Sequence, residues 1–133
     1  MPLVVPSSSD ELMMKYILNK VAVDGNRKLK LFSNNISPFK GIALADINEV
    51  SASGYTAKTL TGSSWTVSTV SGVSTATYPV QTFSITQSTN VYGYYVTTSD
   101  SSAVLWMERF DTAPFNLPSG GGDITVTLNF TLN

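Results

Sequence analysis

Ile124-Thr125-Val126-Thr127-Leu128-Asn129-Phe130-Thr131-Leu132 alternates apolar and polar side chains without exception. Successive side chains of an extended chain point to opposite faces, so this stretch has one wholly apolar and one wholly polar side. That is the pattern of a strand with one face on a core and one in water. Residues 111–122, just before it, contain two prolines and the run Gly120-Gly121-Gly122 and read as a flexible surface loop. Further upstream, Val91-Tyr92-Gly93-Tyr94-Tyr95-Val96-Thr97 and residues 103–110 flank a short polar run, which predicts a hairpin. In a regular strand Tyr92 and Tyr94 would share one face and Tyr95 the other.

The same reading extends toward the N-terminus. Residues 55–60, 65–70 and 80–86 are strand candidates, separated by Thr61-Gly62-Ser63-Ser64 and by an unassigned stretch, 72–79. Residues 27–33 set Leu29 and Leu31 against Lys28 and Lys30, as a strand with one wet face would. A short helical turn is expected within 44–50. About seven short strands without alternating helices predict a mainly β fold, an antiparallel β-sandwich in preference to a partly closed barrel.

One helix is expected ahead of the strands, over residues 9–20. Ser8 and Glu11 have the S-x-x-E spacing of a capping box, and Asp10 favours a helix start. Its apolar residues Leu12, Met13, Met14, Tyr16, Ile17 and Leu18 cover more than one stripe, which predicts contact with the sheet on one side and another molecule on the other. Pro2, Leu3, Val4, Val5 and Pro6 form a short apolar segment that proline keeps extended. The expected organisation is an extended arm over residues 1–7 and a single domain over 8–133. Pro2, Leu3, Val4, Val5, Pro6, Leu12, Met13 and Tyr16 are the candidate partner-binding residues.

Of the 133 residues, 13% are charged and 42% hydrophobic, and the net charge is −1. Nothing in that balance would hold a nucleic acid, and no apolar run is long enough to span a bilayer. Residues 1–6 lack the basic start and apolar stretch of a signal peptide, so synthesis in a cytoplasm is expected. With neither His nor Cys, the usual neutral-pH acid/base group and the common zinc ligands are missing. Asp46 with Glu49, Glu108 with Asp111, and Asp100 with Asp123 are the carboxylate pairs to weigh for glycoside hydrolysis. Each has a simpler account as a turn or surface residue. Asp100, Asp111 and Asp123 have no calcium-loop spacing. Asn35-Ile36-Ser37 and Asn129-Phe130-Thr131 fit the glycosylation pattern but are read as non-functional, the first because Pro38 follows it and the second because it lies in a strand. Neither a catalytic residue nor a cofactor or metal is expected. Tyr92, Tyr94, Tyr95 and Trp106 form an aromatic set that suits a core better than a sugar-binding surface.

A resemblance runs through nearly the whole chain. It begins with a Leu-Val-x-Pro segment before a short helix, at Leu3 to Lys20, followed by Leu29-Lys30-Leu31-Phe32-Ser33-Asn34-Asn35 with Pro38. Ala45-Asp46, Gly54-Tyr55, Leu60-Thr61 with Trp65, and Val91-Tyr92-Gly93-Tyr94-Tyr95-Val96 come next in order. Trp106-Met107-Glu108-Arg109-Phe110 and Gly122-Asp123 before the last strand complete it, although Gly120-Gly121-Gly122 is longer than a bare Gly-Asp. In this order and spacing the chain resembles small virion structural proteins of tailed bacteriophages, cyanophages included. The resemblance implies a capsid cement or decoration protein on the outer shell, partnered by the major capsid protein and by copies of itself as a dimer or trimer. The alternative it leaves is a tail or fibre component that binds a host receptor or glycan.

Overall fold

Alternation does build the last strand, and its apolar face meets a second sheet. The computed structural model describes residues 3–132. Along them, helix α1 (Ser7–Ile17) is followed by strands β1 (Arg27–Phe32), β2 (Lys58–Leu60), β3 (Thr66–Val70), β4 (Val73–Ile85), β5 (Thr89–Val91), β6 (Gly93–Thr97), β7 (Val104–Arg109), β8 (Phe115–Leu117) and β9 (Gly122–Leu132). Four strands in the order β2-β1-β6-β7 make one antiparallel sheet, and β3-β4-β9 make the other. A small third sheet pairs β5 with β8, antiparallel. The fold is mainly β, consistent with a β-sandwich carrying one short N-terminal helix.

Between the two sheets lie Leu29 and Leu31 of β1, Tyr94 and Val96 of β6, Phe83 and Ile85 of β4, and Ile124, Val126 and Leu128 of β9. Thr125, Thr127 and Asn129 stay exposed on the opposite face of β9, as the sequence predicts. The four-stranded sheet is covered on its other face as well. Phe32, Tyr95, Val104 and Met107 pack there against Ile42 and Ile47 of the β1–β2 connection. All five residues of β6 are therefore buried, which is why its sequence shows no polar alternation.

Several expectations are corrected by this arrangement. Val91 and Tyr94 both face the inter-sheet core while Tyr92 packs with Tyr95 on the outer cluster, so alternation breaks at Tyr92-Gly93, where the chain passes from β5 to β6. Residues 111–122 are not wholly loop, because Phe115–Leu117 pairs with Thr89–Val91. Of the unassigned stretch 72–79, residues 73–79 are the first half of the thirteen-residue β4, which the two-residue turn Ser71-Gly72 joins to β3. Both turn residues have positive φ, 52° and 81°, as a primed hairpin turn requires. A register shift between Tyr78 and Gln81, at Pro79, disguises β4 as two segments in the sequence. The expected strand at 55–60 keeps only Lys58–Leu60, and the helical turn in 44–50 is Leu44–Asp46.

Helix α1 starts and stops earlier than predicted. The cap residue is Pro6, at φ −62° and ψ 156°, and no side chain caps the first turn. Glu11 does not reach back toward Ser8, because it pairs with Lys15 one turn on, at 2.8 Å. Lys40 ties down this end instead. Its carbonyl accepts from the Ser7 N–H at 2.8 Å and its ammonium pairs with Asp10. At the other end Asn19 takes φ 56°, and the N–H groups of Asn19 and Lys20 bond back to the carbonyls of Tyr16 and Lys15. This left-handed closure ends the helix before residue 20.

Candidate attachment surface

The N-terminal segment reaches the sandwich by way of β7. Val4 and Met107 exchange both backbone hydrogen bonds, at 2.8 and 2.9 Å, so the arm adds to the free edge of the four-stranded sheet. The Lys40 ammonium donates to the Val5 carbonyl at 2.8 Å. Pro6 is fully buried, and Leu3, Val4 and Val5 are half-buried. Pro2 lies outside the described residues. Over Leu3 to Pro6 the expected extended arm is docked on its own sheet, because β7 offers unpaired backbone groups that an extended apolar segment can satisfy.

Of the helix residues proposed for a partner, Leu12 packs against the inter-sheet core. Met13 and Tyr16 line a cleft of about 140 Å³ with Ser9, Leu105, Trp106 and Phe130. An adjoining cleft of about 210 Å³ is walled by Trp65, Ala76, Trp106 and Phe130, and Arg27 borders both. Trp106 stands 4.9 Å from Phe130 and 6.1 Å from Trp65, ring centre to ring centre, and Trp65 meets Tyr78 edge-on at 5.0 Å. Of the predicted aromatic set, only Trp106 belongs here. Tyr94 and Tyr95 are buried, and Tyr92 lies under the Arg109 guanidinium at 5.1 Å. Sequence reading missed Trp65 and Phe130 as cleft residues because only the sandwich brings them to Trp106.

The outward face of α1 is different. Met14, Ile17 and Leu18, at the i, i+3, i+4 spacing of one helix face, are 62%, 83% and 69% exposed. Val23, a few residues on, is exposed too. The excess of apolar residues noted in the sequence therefore produces a bare apolar ridge. Its members are the ones the sequence reading left out of its partner set, since periodicity alone does not say which side of a helix faces home.

A single carboxylate braces the segment that follows the ridge. Asp24 accepts from the Tyr16 hydroxyl at 2.7 Å, from the Ser99 backbone N–H at 2.6 Å and from the Ser99 hydroxyl at 2.8 Å, and it pairs with Arg27. Burial alone would raise its pKa, but the bonds from Tyr16, Ser99 and Arg27 prevail and hold the carboxyl well below the usual range. Tyr16 shifts upward, by burial first and then by its bond to Asp24.

Most of the carboxylates weighed for catalysis serve local structure. Asp46 accepts from the Ala43 N–H at 3.0 Å, and Glu49 accepts from the Tyr55 hydroxyl at 2.7 Å. Asp100 accepts from the Thr98 and Ser102 hydroxyls within the β6–β7 turn, while Asp123 begins β9 in the other sheet. Glu108 and Asp111 do line one opening, a crevice of about 210 Å³ beside Thr125, Val126 and Thr127, and Glu108 accepts there from the Tyr94 hydroxyl at 3.0 Å. No group of three or more acidic side chains is placed to hold a metal ion among the described residues.

Fold and surface together define a β-sandwich with a docked N-terminal strand and a helix bare on its outer side. No protein-family model matches the chain, and no curated protein sequence matches it.

Proposed function

We propose that this chain is a non-enzymatic virion structural protein, a cement or decoration protein that binds the outer surface of a capsid shell and stabilises it. The observation that carries the reading is the ridge of Met14, Ile17 and Leu18, apolar and exposed on a helix whose inner side is fixed to the sandwich. Exposed apolar surface of this kind marks a place where another molecule binds. Leu3 to Val5, only half-buried, flank the start of the same helix. The partner in this reading is the major capsid protein, with copies of the chain also associating as a dimer or trimer. It requires neither a cofactor nor a metal, and neither nucleic acid nor membrane. Quantitative mass spectrometry of purified particles tests it: the chain should be abundant and depart with the shell. A copy number matching tail components would overturn it.

A second reading, a tail or fibre component that binds host glycan, is favoured by the cleft of Trp65, Trp106, Phe130 and Arg27. Aromatic faces beside a guanidinium suit a sugar ring. Trp106→Ala, checked for folding, should then abolish binding on a glycan array and impair host adsorption. Silence of the unaltered chain on the array, with normal adsorption of the variant, would exclude it.

A further inference from the structure

We propose that two copies of this chain pair edge to edge through β9, antiparallel and centred on Thr127. The proposal deepens the self-association part of the reading above and is independent of what the ridge binds. It starts from how the sheet edges are treated. In the four-stranded sheet, β2 is three residues long and includes Lys58, while β7 takes Val4 as a neighbour. In the other sheet, β3 has five residues and β9 has eleven. Beyond its length, β9 has neither proline nor lysine, and Asp123 is its one charge. It pairs with β4 on one side only, and among the described residues no other backbone segment bonds to its second side. Alternate residues along it direct their N–H and C=O groups outward, a ready template for another strand.

The strand's own sequence argues for a second copy. With antiparallel pairing about Thr127, Ile124 faces Phe130 of the other copy and Val126 faces its Leu128. On the opposite face Thr125 meets Asn129, Asp123 meets Thr131, and the two Thr127 residues meet each other. Apolar positions meet apolar ones and polar meet polar, as cross-strand stabilisation requires. Asp123 of each copy falls at opposite ends of the pair, roughly 26 Å apart at the strand rise and beyond the screening length. The contact is isologous and closes as a dimer, and it joins two three-stranded sheets into one of six strands. It also places the second strand alongside Leu132, 58% exposed in the single chain.

Because the chain has no cysteine, the register can be tested by cross-linking. The full chain should sediment as a dimer. Thr127→Cys should form an intermolecular disulfide at least about tenfold faster than Thr82→Cys on the exposed face of β4, as the raised effective concentration of paired groups requires. The double variant Thr125→Lys with Asn129→Lys sets lysines against lysines and should give a folded monomer, judged by circular dichroism. A monomeric unaltered chain would overturn both self-association and this edge. An oligomer in which the Thr127→Cys variant cross-links no faster than the Thr82→Cys variant would overturn the edge alone.

Discussion

Asp24 shows how one residue sets a pH dependence. Its side chain is 23% exposed and takes bonds from Tyr16, Ser99 and Arg27, tying the end of α1 to β1 and to the β6–β7 turn. Its pKa in the folded chain is depressed, so its contribution is complete above the unfolded value near 4 and is lost as pH falls below that. Asp24→Asn should lower stability by about 1–3 kcal/mol at neutral pH, the range for bonds to a charged group, and should flatten the acid limb. Urea midpoints measured from pH 7 down to about pH 3 check both effects. Gly93 sets a steric limit instead. A Cβ there would lie 2.2 Å from the Glu108 carbonyl and 2.6 Å from the Phe32 ring. Backbone and a buried ring cannot both give way, so Gly93→Ala should cost about 1–3 kcal/mol, read from its thermal or urea midpoint.

The N-terminal segment and helix α1 behave as one unit at the scale of elements. Removing residues 1–5 deletes the paired bonds between Val4 and Met107 and uncovers part of the β7 edge. At about 0.5–1.5 kcal/mol per bond, the truncated chain should lose about 1–3 kcal/mol, which its urea midpoint reports. An arm serving only a partner would leave that midpoint unchanged. Which elements were legible follows from how many faces each one buries. Residues 124–132 alternate because β9 has a wet face, and Lys28 to Leu31 alternate because the two lysines lie half-buried in polar contacts on the covered face, Lys30 bonded to Ser101 and paired with Glu49. Gly93 to Thr97 are buried on both faces, and β4 hides its continuity behind the shift at Pro79, so periodicity misplaced Tyr92 and started the strand only at Val80. β8 depends wholly on its pairing with β5, which no local pattern announces. For the helix, Leu12 to Leu18 signalled too much apolar surface, but only packing chose Met14, Ile17 and Leu18 as its outer side.

Across the whole molecule, charge is arranged so that the proposed attachment face works through apolar contact. Asp100 is the one charged residue from 59 to 107, and apart from Lys58 and Arg109 the basic residues lie between 15 and 40. Ile17 and Leu18 of the ridge fall inside this basic block of the sequence, between Lys15 and Lys20, so apolar and ion-paired attachment make opposite predictions for the same face. An ion-paired attachment would weaken with salt, since the screening length shrinks from about 10 Å at 0.1 M to about 3 Å at 1 M. Apolar attachment through Met14, Ile17 and Leu18 does not depend on that length. Particles washed at about 0.1 M and about 1 M salt should thus retain the chain equally. Ile17→Lys with Leu18→Lys should abolish retention at both concentrations, because docking would have to desolvate two ammonium groups. A lysine at the C-terminal end of a helix complements the helix dipole, so the isolated variant should keep its stability within about 0.5 kcal/mol per substitution. Release of the unaltered chain by salt would move the attachment face to the exposed lysines of this block, Lys20 and Lys40.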